Sequence, residues 1–277
     1  PFMGPQNNLH FNRRPEFAPM NDSRVRRAIA LAIDVYEIDE KIMFNTGEIA
    51  HSSVRPVQAY YKPVYEEMRN RPLAARIAEA KGLLTEAGYP DGFSYELWYP
   101  SGAGAEFSRE LGTVIQSQVA KIGIDLELVL IECGTYFPLR SQGKLPLFFR
   151  GWTHDYPDAD SELYYQMHSS STYLAQPLGF NDSHVDYLLD RERELYDLRG
   201  YMYDPPERGE ILEELQDWMY ETTFNVPLYY DHFFDVSNDW VTNYRYWKTN
   251  DMPYQGLWPV SKEIPDDWED REPPWTS

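Results

Sequence analysis

Two alternating apolar–polar runs, Phe93–Tyr99 (FSYELWY) and Ile124–Ile131 (IDLELVLI), bracket a stretch in which Phe107, Leu111, Val114, Ile115, Val119 and Ile122 recur at helical spacing. Gly88-Tyr89-Pro90-Asp91-Gly92 turns the chain into the first run, Ser101-Gly102-Ala103-Gly104 loops it into the helix, and Gly123 ends that helix. Leu145–Phe149 supplies a third short apolar run. Strand, helix and strand in this order restrict the region 93–150 to α/β architecture with right-handed crossovers.

The flanking segments fit around that unit. Residues 1–20 hold four prolines and read as extended or irregular. Asn21-Asp22-Ser23 offers capping oxygens to a helix whose apolar face is Val25, Ile29, Ala32 and Ile33, continuing through Ile38, Ile42 and Met43 to Gly47. The Pro- and Tyr-rich stretch 48–72 reads as a long connection, and Pro72 opens a helix carrying Leu73, Ile77, Ala80, Leu83 and Leu84. A short helix is expected over 135–142, a loop over 151–158, and longer helices around 182–198 and 206–222. Val226–Tyr230 and Phe233–Val236 read as strands. From 246 onward periodicity is lost, and residues 261–277 form an acidic tail with six acids and two bases.

Composition closes off several classes of function. The net charge is −20, from 25 basic and 45 acidic residues, which would repel a phosphate backbone and argues against nucleic acid as a partner. With 22 Tyr, 13 Phe and 8 Trp the chain has ample material for a core. The single cysteine, Cys133, excludes an internal disulfide and any multi-cysteine metal site, and its place at the end of an apolar run suits a small core residue. No apolar run approaches the roughly 18 residues of a membrane span. The opening Pro1-Phe2-Met3-Gly4-Pro5 has no signal-peptide pattern and no initiator Met, as expected of a processed chain or a piece of a longer one.

Few clusters suggest chemistry. His154, Asp155, Asp158, Asp160 and Glu162 crowd nine residues, and oxygen-rich loops of this kind can hold calcium. However, Leu163 stands where a calcium loop needs glycine, and a solvated acidic loop explains the same residues. A carboxylate acid–base pair, hence a hydrolase, is a further reading that spacing along the chain cannot support. Gly102-x-Gly104 follows a strand and opens a helix, but Phe107 replaces the third glycine of the dinucleotide fingerprint. The loop could still present N–H groups and Ser101 to an anionic group. No HxxxH pair and no GxSxG elbow occurs, and no cofactor is expected. What remains is aromatic plus acidic. Trp98, Tyr99, Trp152 and Tyr156 lie at expected strand ends, where open α/β sheets bind ligands. Asp155, between Trp152 and Tyr156, could pair with a ligand ammonium. The same aromatics could equally fill the core, with Asp155 capping a turn.

The motifs resemble those of a known family. Phe11-Asn12, Asn21-Asp22-Ser23-Arg24-Val25-Arg26-Arg27-Ala28, Ala32-Ile33-Asp34, Ala80–Phe93 (AKGLLTEAGYPDGF), Gln118–Ile124 (QVAKIGI), Gly151-Trp152 with Asp155-Tyr156-Pro157-Asp158, and Asn225–Tyr230 (NVPLYY) occur in the order found in extracellular solute-binding proteins of family 5. That oligopeptide- and dipeptide-binding group is similar to this chain over about residues 11–245. The resemblance implies the second lobe of a type II periplasmic binding-protein fold, with the N-terminal lobe missing. Residues 1–224 would be the ligand-binding lobe, 225–260 a return segment toward the first lobe, and 261–277 the tail.

The resemblance also implies binding, without catalysis, of an oligopeptide or other small solute for an ABC importer, in the periplasm or outside the cell. Its partners would be a transporter permease and the N-terminal lobe of the same protein, with membrane association through a partner or through a lipid anchor on the missing part. Asp155 matches the loop aspartate that receives the peptide α-ammonium in such proteins, and Trp152 matches the neighbouring cleft tryptophan. Arg150, directly before Gly151, could serve a ligand carboxylate; Tyr156, Tyr99 and Ser101 complete the candidate contacts. An accessory subunit that has lost transport is the alternative, with a membrane complex as its neighbour.

Overall fold

The computed structural model describes residues 2–152, 158–198, 205–233, 241–242 and 261–262. A six-stranded mixed sheet forms its centre. It consists of β1 (Phe2–Phe11), β2 (Glu48–Ile49), β3 (Phe93–Pro100), β4 (Ile124–Ile131), β5 (Leu147–Trp152) and β6 (Asn225–Phe233), in the order β2-β6-β1-β5-β3-β4. The α/β reading of 93–150 holds: β3 and β4 pair in parallel from Phe93–Ile124 to Pro100–Ile131, joined by α5 (Ala105–Val119), and β5 lies parallel on the other side of β3. One close approach fixes the mouth of this unit. A Cβ on Gly92, at φ +78°, would fall 1.9 Å from the Gly123 carbonyl oxygen, so the two turns can meet only through glycine.

The irregular reading of residues 1–20 is corrected. Phe2–Phe11 is a central strand, antiparallel to both β5 and β6, despite Pro5; the ladder shifts register between Met3 and Gln6, where the proline falls. Its alternation is hidden because both faces are buried. Leu9 and Phe11 enter an apolar core, while Gln6, Asn8 and His10 are buried polar residues at the intervening positions. β6 is also interior, between β2 and β1, so residues 225–233 lie in the same sheet, and position 224/225 falls at the start of a strand. Of the expected strand 233–236, only Phe233 lies within the described residues, as do only Ser261 and Lys262 of the tail.

One layer packs α1 (Ser23–Ala32), α4 (Leu73–Glu86) and α5 on the sheet through Val25, Ile29, Leu84, Leu111, Ile115 and Val119 against Leu9, Leu97, Leu126 and Leu228. A second core gathers α7 (Asp160–Met167), α8 (Ser183–Leu198) and α9 (Pro206–Glu221) around Leu163, Leu189, Leu212 and Phe224. The connection 48–72 holds β2 and a short α3 (Glu66–Asn70); α2 (Val35–Lys41) follows α1, and α6 (Cys133–Ser141) follows β4. Both Asx segments cap helices: Asp22 Oδ1 accepts from Arg24 N at 2.9 Å, and Asp182 Oδ1 from His184 N at 2.9 Å. Cys133 is half-buried at the start of α6 rather than a core residue.

Candidate functional site

A stagger in the sheet creates the site. β3 pairs with β4 along its whole length but with β5 only at Leu97–Leu147 and Trp98–Phe148. β5 runs on to Trp152, longer than the expected strand 145–149, so Gly151 and Trp152 belong to the strand and not to a loop. A hollow of about 510 Å³ opens beside this overhang, beyond the carboxyl end of β3. Phe149 and Gly151 of β5, Asn7 of β1 and Leu228, Tyr229 and Asp231 of β6 line it from the sheet. Pro100 and the first turns of α5 form one wall, and Tyr136, Phe137 and Arg140 of α6 with Tyr173 form the other, next to Arg150.

Charge divides this hollow. Arg150 is only 7 % exposed; its Nη1 donates to the Tyr173 carbonyl at 2.9 Å, its guanidinium lies 3.1 Å from the centre of the Tyr173 ring, and its buried Nη2 has no hydrogen-bond partner among the described residues. Burial and then the neighbouring Arg140 push its pKa down to about 8, against a smaller opposing effect of Tyr136. His10, buried behind it and stacked on Phe148, is held well below its ordinary pKa by burial and by Arg150, Arg13 and Arg140. Asp231, with Asn7 Nδ2 donating to it at 2.9 Å, supplies negative charge from β6. Aromatic walls, two guanidiniums and a carboxylate suit a small ligand bearing both signs of charge.

The candidate residues from the sequence divide. Arg150 lines the hollow. Trp152 stands at the end of β5, half-buried; its indole Nε1 donates to Ser161 O at 2.9 Å, and its ring meets Tyr173 with centroids 4.4 Å apart. Tyr99 is 5 % exposed and belongs to the apolar core, which is the bland alternative for it. Ser101 latches two strand ends, its Oγ accepting from Cys133 N at 3.1 Å and its N donating to Ile131 O at 2.7 Å. Gly104, at φ +83°, caps α5 without a side chain and lines the hollow. His154, Asp155 and Tyr156 lie outside the described residues.

The remaining acids of that cluster are not a solvated loop. Residues 160–167 form α7, an element the sequence reading lacked, and Asp158, Asp160 and Glu162 are buried among guanidiniums. Arg208 pairs with Asp158 and, through Nε at 2.6 Å, with Glu192; Arg55 pairs with Glu162 at 3.2 Å, and Arg193 reaches Asp160 at 3.7 Å. Arg55 also donates to the Trp152 carbonyl at 2.9 Å, and Gln58 Nε2 to the Asp158 carbonyl at 2.9 Å. The two residues that flank 153–157, Trp152 and Asp158, are thus held by one buried charge network. Sequence reasoning missed Arg140, Asp231, Arg55 and Arg208. A charge directly after the apolar run Val226–Tyr230 was the available hint for Asp231; the pairings of Arg55 and Arg208 with acids far along the chain leave no local signal.

The residues that build this scaffold match the model of the bacterial extracellular solute-binding proteins, family 5, over residues 5–173. The chain belongs to that family. It is 30 % identical over 177 residues to heme-binding protein A of Haemophilus influenzae, covering 63 % of this chain and 31 % of the relative, and 29 % identical over 148 residues to the dipeptide-binding protein of Escherichia coli, covering 52 % and 26 %. Among solved structures, OppA of Burkholderia pseudomallei superposes with a TM-score of 0.75 at 20 % identity, over 88 % of this chain and 46 % of that one. The periplasmic binding protein DppA of Helicobacter pylori, solved with the peptide STSA, gives 0.68 at 24 % identity, over 87 % and 44 %. The chain spans less than half the length of each of these family 5 relatives, and its fold matches a single lobe.

Proposed function

We propose that this chain is the ligand-binding lobe of a periplasmic solute-binding protein that captures short peptides for an ABC importer, and that it catalyses nothing. The observation that carries the reading is the hollow beside the β5 overhang, which Arg150 lines together with aromatic walls on a family 5 scaffold, its buried Nη2 without a hydrogen-bond partner among the described residues. Arg150 would take a peptide carboxylate, and Asp155 would take the α-ammonium. Trp152 and Tyr156 would flank that ammonium, while Tyr99 and Ser101 shape the site from behind. The relatives named for dipeptides, and the one solved with a peptide, support the ligand class. The lobe would extend through β6, with a return segment beyond Phe233 and the acidic tail after it. A first lobe would close over the ligand by hinge motion.

Calorimetry with di- to pentapeptides on the full-length protein tests this. A binding heat that disappears in Asp155→Ala is expected. No heat with any peptide, or full affinity in Asp155→Ala, would falsify the peptide reading.

A further inference from the structure

Six arginines are buried among the described residues, and three of them spend their N–H groups on carbonyl oxygens. Arg26 donates to the carbonyls of Met20, Asn21, Thr222 and Thr223, Arg69 to those of Ala50 and Pro227, and Arg76 to that of Ile33. Arg208 and Arg55 instead meet carboxylates. Arg150, like Arg76, makes one carbonyl bond and has one buried nitrogen without a hydrogen-bond partner among the described residues. Unlike Arg76, it lines the hollow, and it shares it with a second guanidinium, Arg140. Arg140 lies over the Phe137 ring, 5.1 Å from its centroid, and 5.9 Å from that of Tyr173, the ring on which Arg150 stacks.

Two like charges gathered on one half-enclosed aromatic wall repel each other and lose hydration. Among the described residues no carboxylate pairs with either guanidinium, and Asp231, which also lines the hollow, accepts from Asn7 Nδ2. A ligand can supply the negative partner. A single carboxylate bound to Arg150 leaves Arg140 uncompensated; a second one removes the repulsion.

We propose that the Arg140–Arg150 wall selects ligands carrying two carboxylates at one end, which for a peptide means an acidic C-terminal residue. This rests on the peptide reading for the form of the ligand, and on the two guanidiniums alone for its charge. Arg150 holds the α-carboxylate and Arg140 the side-chain carboxylate.

The test is calorimetry on the full-length protein with Ala-Glu, its neutral isostere Ala-Gln, and glutarate, a dicarboxylate without a peptide bond. Ala-Glu should bind more tightly than Ala-Gln by about tenfold or more. Arg140→Gln should collapse that ratio toward one, Arg140→Lys should restore part of it, and thermal melts of both variants show whether they fold. Equal affinities for the two peptides in the wild type overturn the proposal, as does an unchanged ratio in a folded Arg140→Gln. If no peptide binds but glutarate does, and Arg140→Gln weakens it, the charge selection stands and the peptide reading fails. If neither peptides nor glutarate bind, both fail.

Discussion

Arg208 and Arg150 are both guanidiniums taken out of water, and the structure treats them in opposite ways. Arg208 is fully buried and meets Asp158 and Glu192, the first of which flanks the segment 153–157. Arg150 borders a hollow and has one carbonyl, the rings of Tyr173 and Trp152, and one nitrogen without a hydrogen-bond partner among the described residues. The first arrangement meets its guanidinium with carboxylates from the chain itself. The second is incomplete, and a binding site must be incomplete in this sense if a ligand is to improve it. Compensation, more than burial, separates the structural charges of this lobe from the functional ones.

The largest effect is expected where compensation is broken. Arg208→Ala takes the guanidinium partner from the buried Asp158 and Glu192 and should cost about 3–5 kcal/mol of unfolding free energy in urea titrations, because the Asp158 charge loses its compensation. A loss below about 1 kcal/mol would mean that Asp158 and Glu192 find other partners, and the contrast with Arg150 would weaken.

A pH dependence comes next. Burial and the adjacent Asp160 raise the Glu192 carboxyl to about 8, Arg208 opposing with smaller effect. Between its ordinary value of 4.5 and about 8, the folded protein keeps a proton that the unfolded chain has released. The folded state therefore binds more protons in that window, and stability falls as pH rises through it. The contribution is fully present below 4.5 and lost above about 8. Melting temperatures should decline from pH 5 to pH 8.5, and Glu192→Gln, which cannot ionise, should flatten the decline. An equally steep decline in Glu192→Gln would place its origin elsewhere.

These pairings also show where sequence reading stops. The β3–α5–β4 unit was legible because each element declares its own period: two in Phe93–Tyr99 and Ile124–Ile131, and helical between them. The strand Phe2–Phe11 was not, because Gln6, Asn8 and His10 are polar yet buried, so its alternation reads as irregular chain. Asp158, Asp160 and Glu162 read as solvated because their partners Arg55, Arg193 and Arg208 lie elsewhere in the sequence, and only the fold brings them together. Arg150 could be singled out from its place before Gly151. Its neighbour Arg140 could not, since only the turn from α6 into β5 sets the two side by side.

Replacing Arg150 tests the other half of the contrast. Arg150→Met removes a buried cation that no carboxylate among the described residues pairs with, so stability should stay within about 1 kcal/mol of the wild type or rise. A loss comparable to that of Arg208→Ala would show that Arg150 is held for the fold, and the hollow would lose its main claim to being a ligand site.

The smallest effect belongs to a pair that separates burial from pairing. Lys62 and Asp217 form an ion pair at 2.5 Å with both side chains more than a third exposed. By contact distance alone it equals the Arg208–Asp158 pair. Water already solvates both partners, however, so Asp217→Ala leaves no stranded charge and should cost less than about 1 kcal/mol. The residual effect should shrink further in high salt, whereas the cost of Arg208→Ala should barely move, since screening does not reach a buried pair. If the two substitutions cost the same, the large effect at Arg208 comes from lost packing of its side chain. Arg208→Met, which keeps most of that volume, would then recover the stability, whereas a stranded charge predicts that it cannot.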